Sequence, residues 1–259
     1  MGKNNAIAAL LVLVVMAMHF DGVVPSPKCY LDSPVMDPHG GEGHVHKLGG
    51  LDTYLVGSCD SHRAVVLVSD VYGFEARNLR KLADKVAAAG YYVAVPDFFH
   101  GEPFVRGKPD RPQAEWLADH KPENGFKDAK PLIKALRSKG ISAIGAVGIC
   151  WGGKTAVALG THELIQAAAL FHPSYVSTDE IKGIKVPIAI LGAEDDHPDL
   201  FKQYGEVLAA RPEIDGYVKI FTNVSHGWTM KYDPKCPKAV KRAEEAYQDM
   251  LDWFGKHVK

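Results

Sequence analysis

What this sequence lacks first is an excess of charge of either sign. Its 259 residues carry 30 Lys and Arg against 31 Asp and Glu, a formal net charge of -1, with no run of basic side chains. A balance this even leaves no electrostatic footprint for nucleic acid or an anionic lipid surface, so nucleic-acid binding is excluded as a reading. Cysteine is sparse too. Cys29, Cys59, Cys150 and Cys236 are scattered and include no C-x-x-C pair, the spacing that zinc sites and redox dithiols use. There is no internal repeat and no low-complexity tract. Nor does any apolar run reach the ~20 residues that a helix needs to cross a bilayer.

The longest apolar run is Ala6–Met18, thirteen residues that follow Lys3 and precede His19, Asp21, Gly22 and Pro25. A positive start, a short apolar core and then polar or helix-breaking residues are the layout of a secretory signal peptide. We expect one over residues 1–24, with the cut between residues 20 and 26; no A-x-A-like site fixes it. Met1-Gly2 lacks the Ser or Thr at position six that myristoylation requires. Removal of the leader predicts a secreted, extracellular or cell-wall protein with no stable membrane insertion; without removal, a cytoplasmic one. Export would let two cysteines pair, with Cys29–Cys59 and Cys29–Cys236 as the alternatives. It would also offer the one N-x-[ST] sequon, Asn223-Val224-Ser225, as a glycan acceptor; because a glycan so close to His226 would crowd the mouth, we expect the sequon to be unoccupied or turned away.

Residues 25–45 are rich in Pro, Gly and His and read as an extended lead-in, with the compact domain over 46–259. His39, His44 and His46 fall in this Gly-rich stretch and are read as solvated rather than as a metal site. From there the chain alternates two kinds of segment. Short, largely apolar runs occur at 54–56, 64–68, 91–95, 143–147, 167–171, 187–191 and 217–221. Helical periodicity marks 78–89, 128–138, 154–161, 200–210 and 238–258. Strand runs without strict alternation, separated by helices, predict one α/β domain: a doubly wound, mostly parallel sheet with helices on both faces. Residues 101–124, with four prolines, read as an irregular insertion suited to a lid or pocket wall.

In such sheets ligands bind beyond the carboxyl ends of the strands, and three chemically apt segments fall there. Gly148-Ile149-Cys150-Trp151-Gly152 follows the 143–147 strand and precedes a helix, which is the arrangement of a nucleophile elbow with Cys in place of Ser. A helix N-terminus favours the thiolate form. Glu194, Asp195 and Asp196 follow the 187–191 strand, and His226 follows the last one. Nucleophile, acid and base therefore come in the order expected of an α/β-hydrolase. Taken singly, Cys150 fits a small buried hydrophobe, His226 a loop residue and the acids solvated charges; together they fit a catalytic triad.

The segments SDVYGFE (69–75), NLRKLADKVAAAGYYVAVPDFFHGEP (78–103), GICWGG (148–153), GAEDDH (192–197) and SHGW (225–228) resemble the dienelactone hydrolase family, its plant members above all. The likeness runs over about 46–255. It implies an α/β-hydrolase fold and a triad of Cys150 as nucleophile, His226 as base and Asp196, preferred over Asp195, as acid. It also implies an acidic residue, Asp70, near the resting thiol, and an oxyanion hole made by the N–H groups of Val71 and Trp151. No metal or organic cofactor is implied, and the expected partner is a small-molecule ester or lactone. One departure limits the analogy. Bacterial members grip the substrate carboxylate with arginines at positions that here correspond to Gly101 and Met230, and neither can make a bidentate clamp. Arg106 and Lys231 are the nearby cations that could compensate.

Two other readings stay open. Plant proteins resembling this one have been described as cell-wall endo-(1,3;1,4)-β-glucanases, and glycoside hydrolysis needs a pair of carboxylates across a cleft. Asp70, Glu75, Asp97, Glu102 and Asp195 are available, with Trp116, Trp151 and Trp228 to stack on sugars. Alternatively, the scaffold holds a small ligand without turning it over.

Overall fold

The computed structural model of the protein describes residues 29–259, and the expected signal peptide at 1–24 lies outside the described residues. Among these described residues eight strands form one sheet: β1 (His44–Leu48), β2 (Leu51–Val56), β3 (Arg63–Val68), β4 (Tyr92–Pro96), β5 (Ala143–Ile149), β6 (Ala167–Phe171), β7 (Ile188–Ala193) and β8 (Gly216–Phe221). Their order across the sheet is β1-β2-β4-β3-β5-β6-β7-β8. Strands β3 to β8 run parallel, and β1 and β2 add an antiparallel edge beside β4.

Among the described residues seven helices accompany the strands: α1 (Arg77–Ala88), α2 (Gln113–Asp119), α3 (Pro122–Ser138), α4 (Gly152–Thr161), α5 (Thr178–Gly183), α6 (Pro198–Ala209) and α7 (Pro237–His257), the last of which follows β8. The two-residue period of the strands distributes their side chains between two cores. On one face Val65, Leu67, Val147, Ala169 and Leu191 pack with α1 and α7. On the other Val66, Val68, Ala146, Leu170 and Ile190 pack with α3, α4 and α6. Both faces of the central strands are dry, which is why their sequences read as continuous apolar runs. The predicted doubly wound architecture is what the chain adopts.

Three elements depart from the reading of the sequence. The antiparallel edge strand β1 lies partly in the stretch read as an extended lead-in. Four of its five residues are exposed, so it has no apolar pattern to announce it. The insertion at 101–124 is not wholly irregular: it contains α2 and the start of α3, which begins at Pro122 rather than Asp128. Helix α2 is seven residues long and buries only Trp116, too little for a periodic signal. Helix α5, six residues closed by a Ser177–Glu180 capping box, was likewise below the length at which periodicity is readable.

The described part of the lead-in is tied to the domain. Cys29 is disulfide-bonded to Cys236, Tyr30 pairs with Tyr232, and Met36 pairs with Ala76. His39, His44 and His46 are exposed, and among the described residues no group of side chains is placed to hold a metal ion.

Candidate functional site

The parallel strands end together on one edge, and the turns beyond β3, β5, β6, β7 and β8 meet there. The turn after β5 is the tightest. Cys150 adopts a left-handed backbone with φ 49°, a conformation a non-glycine residue keeps only where its surroundings enforce it. Its N–H donates to the Phe171 carbonyl, and its own carbonyl accepts from Gly153 and Ser174, each at 3.0 Å. Glycine on either side is a steric necessity. A Cβ on Gly148 would stand 2.6 Å from the Gly152 carbonyl oxygen, and one on Gly152 would stand 2.3 Å from that of Val68. Cys150 thus sits at the N-terminal end of α4, whose first turn contains no acidic side chain. The Sγ atom lies 3.5 Å from Ser174 Oγ.

After β7 the chain turns at Asp196, which is 5% exposed. One carboxylate oxygen accepts the Ala193 N–H at 2.8 Å, and the other lies 2.6 Å from His226 Nδ1. Its neighbour Asp195 does different work, accepting the backbone N–H of His226 at 2.8 Å. Of the two aspartates left open by the sequence, one orients the imidazole and the other fixes the backbone that carries it. Burial works to lower the pKa of His226, but the hydrogen bonds and negative charges of Cys150 and Asp196 more than reverse this and raise it to about 10. The imidazole thus bonds Asp196 through Nδ1 and has the Cys150 sulfur as its other hydrogen-bond partner.

The turn after β3 brings Asp70, Val71 and Tyr72 to the same place. Asp70 is buried; desolvation raises its pKa to about 6 against the lowering effects of the Tyr72 N–H and of the charges of Lys231 and His226. Among the described residues, the N–H groups of Val71 and Trp151 have no acceptor. The Trp151 indole is spoken for, since its Nε1 donates to the His120 carbonyl.

The reading of the sequence places His172 at a strand's carboxyl end without giving it a role, and it passes over Thr229 and Tyr247. His172, at the end of β6, is fully buried in a left-handed conformation (φ 38°). It places Nε2 2.7 Å from Thr229 Oγ1 and its ring 4.8 Å from that of His226, edge to face. Burial and the nearby positive charges of His226 and Lys231 hold its pKa well below the usual imidazole range, so it is neutral. Thr229 in turn accepts the Tyr247 hydroxyl on its backbone oxygen. The one available signal was position, because His172 follows a strand at its carboxyl end; nothing in its spacing marks it.

The expected sugar-stacking tryptophans are a correction. Trp116, Trp151 and Trp228 are each no more than 1% exposed and have no open face. Asp97 is also structural, since its carboxylate accepts the N–H groups of Phe99 and Gly101. Glu102 pairs with Arg111. At the two positions compared with arginines, Met230 is buried and Gly101 caps the Asp97 turn. Arg106 pairs with Asp32, while Lys231 acts on Asp70 and His172 through its charge.

Comparison with known proteins adds context. A model of the dienelactone hydrolase family matches residues 51–258. A Zea mays protein named endo-1,3;1,4-beta-D-glucanase is 46% identical over 66% of this chain, but the match takes in only 56% of the maize protein. A Mus musculus protein named carboxymethylenebutenolidase homolog is 28% identical over 85% of this chain and 93% of its own length. Among solved structures, a dienelactone hydrolase from Anabaena variabilis superposes with a TM-score of 0.61 at 15% identity, covering 85% of this chain and 99% of that one. That likeness concerns the fold alone.

Proposed function

Since this chain belongs to the dienelactone hydrolase family, and so to the carboxylic ester and lactone hydrolases, we propose that it cleaves a small ester or lactone through Cys150, His226 and Asp196. The observation that carries the reading is the Asp196–His226 hydrogen bond beside a cysteine held at a left-handed strand-to-helix turn. The Cys150 thiolate adds to the carbonyl carbon, forming a C–S bond and moving an electron pair onto oxygen. Collapse expels the alkoxide, which takes its proton from the His226 imidazolium. His226 then removes a proton from water, whose oxygen attacks the thioester and releases the acid and the thiol. The free N–H groups of Val71 and Trp151 are suited to hold the oxyanion, and loss of one such donor costs about 2.7–4 kcal/mol of transition-state stabilisation. His172, itself bonded to Thr229, packs edge to face against the imidazole and supports its position.

The test is hydrolysis of short p-nitrophenyl esters and lactones by the wild type and Cys150→Ala. Turnover that disappears in the variant supports the proposal; equal turnover by both proteins refutes it.

The glucanase name carried by the maize relative supports a second reading, secreted β-glucan hydrolysis. The buried tryptophans and the absence of any need for a thiol weigh against it. Mixed-linkage glucan in the same assay separates the two, because cleavage equal in wild type and Cys150→Ala favours the glucanase.

A further inference from the structure

Where the turn after β8 meets α7, two features of the molecule come together that nothing in ester hydrolysis explains. One is the sequon Asn223-Val224-Ser225 and the other is the Cys29–Cys236 disulfide. We propose that Asn223 is an N-glycosylation site, and that its glycan lies along a groove beside α7 rather than over the catalytic mouth.

The local geometry suits an acceptor. Asn223 is exposed at the turn that follows β8, as is Ser225, whose hydroxyl completes the sequon. Its backbone is left-handed, φ 59°, a conformation that asparagine tolerates better than most side chains. The turn is pinned from both sides: the Asn223 N–H donates to Glu194 Oε2 at 2.7 Å, and Arg242 donates to the Thr222 carbonyl at 2.9 Å.

The direction of the side chain is set by its surroundings. Asn223 lines a groove of about 350 Å³ with Tyr30, Lys238, Ala239, Lys241 and Arg242. None of Cys150, Asp70, Asp196 or His226 lines it. A sugar attached here therefore leaves along the first turns of α7, although His226 is only three residues further along the chain. The close spacing in sequence suggests a blocked mouth, and the groove removes that conflict.

The disulfide supplies the compartment. Cystine bonds persist in oxidising environments, the same secretory pathway in which sequons are modified. The bond also builds the groove. Tyr30, next to Cys29, forms one wall, and Lys238, two residues past Cys236, forms the other. In the modification the Asn223 amide nitrogen attacks the anomeric carbon of a lipid-diphosphate-linked oligosaccharide. The C–N bond forms, the C–O bond to the diphosphate breaks, the lipid diphosphate leaves and one amide proton is lost. No oxidant or reductant is involved.

The experiment is translation of the full chain in the presence of secretory microsomes, beside Asn223→Gln and Asn223→Gly, the latter keeping the left-handed turn. A parallel set carries a well-behaved foreign leader in front of residue 25. Expected is a product that shifts down in mass on treatment with a peptide N-glycosidase, in the wild type only, with p-nitrophenyl ester turnover of glycosylated and N-glycosidase-treated protein within about twofold of each other, a difference below about 0.5 kcal/mol. Import with the foreign leader but no glycan overturns the proposal. So does failure of the native leader to bring the chain into the microsome, because the acceptor then never meets the transferase. A glycan that is present but whose removal raises turnover tenfold overturns its placement away from the mouth.

Discussion

The turns after β3 and β7 each deliver one buried aspartate to the same imidazole, and their difference shows what turns a buried acid into a partner. Asp70 and Asp196 are 4% and 5% exposed. Asp196 has both oxygens engaged, one by the Ala193 N–H and one by His226 Nδ1. Asp70 has a single hydrogen bond, from the Tyr72 N–H, and meets His226 and Lys231 only through their charges. Depth is equal, but hydrogen-bonding capacity is used in one site and left open in the other. Donors on both oxygens fix the direction of a carboxylate, whereas one with a single donor bears the desolvation and is pushed towards its neutral form.

The hardest way to break this comparison is to remove the oriented acid. Asp196→Asn keeps the shape but no longer accepts from His226 Nδ1 with a charged group, and kcat/KM is expected to fall by about 10³–10⁴. Asp195→Asn is the control. It weakens one exposed bond to a backbone N–H, worth about 1 kcal/mol and so about fivefold in rate. Steady-state kinetics on one ester decides the matter: if Asp195→Asn is the more damaging substitution, the two aspartates have been assigned in the wrong order.

The unpaired acid predicts a stability effect of the opposite kind. Burial raises the pKa of the Asp70 carboxyl from an ordinary 3.8 to about 6 in the folded chain. A raised acid pKa means that the folded state binds its proton more tightly than the unfolded state. Stability from this group therefore declines as pH rises from about 4 to about 6, and the loss is complete above that range. At full value the loss is up to about 3 kcal/mol. Asp70→Asn is expected to be more stable than wild type at pH 7.5 by a substantial part of that amount, and no more stable at pH 4. Urea melts at the two pH values measure it, and a gain equal at both would show that ionisation is not the cause.

The fold and the site were legible to different depths. Strands β3, β5, β6 and β7 were readable because both of their faces are buried, which leaves an unbroken apolar run between turn residues. Strand β1 was not, because an edge strand with exposed His44 and His46 carries no such pattern. At the site, Cys150 announced itself through the glycines that its turn cannot do without. Asp196 and Asp195 could not be ranked by geometry, since adjacent residues in a turn differ only in where their side chains point. His172 stood out only by its place after a strand; its role was not legible, because its contacts with Thr229 and His226 join residues more than fifty positions apart and no local spacing encodes them.

His172, packed edge to face against the same imidazole, sharpens the comparison. His172→Phe preserves a ring edge against His226 but deletes the bond to Thr229 Oγ1. One buried neutral hydrogen bond is worth about 1–1.5 kcal/mol, so kcat is expected to drop about tenfold. A positioning role puts the loss in kcat with KM little changed. A raised KM at constant kcat would instead place His172 in substrate binding.

The smallest effect comes from His226 itself and runs over a different pH range from that of Asp70. Its pKa rises from 6.5 to about 10 on folding, through its pairing with Asp196 and the Cys150 sulfur and in spite of burial. A base whose pKa is raised by folding contributes stability that is fully present below 6.5 and is lost as pH climbs through 10. The side chain is 36% exposed, so solvent screens the pairing and the contribution stays below about 1 kcal/mol. Wild type should therefore exceed His226→Gln in thermal midpoint by a small margin at pH 6 that closes by pH 10. A margin that stays constant across this range would mean that packing of the ring, and not its charge, is what Asp196 and Cys150 stabilise.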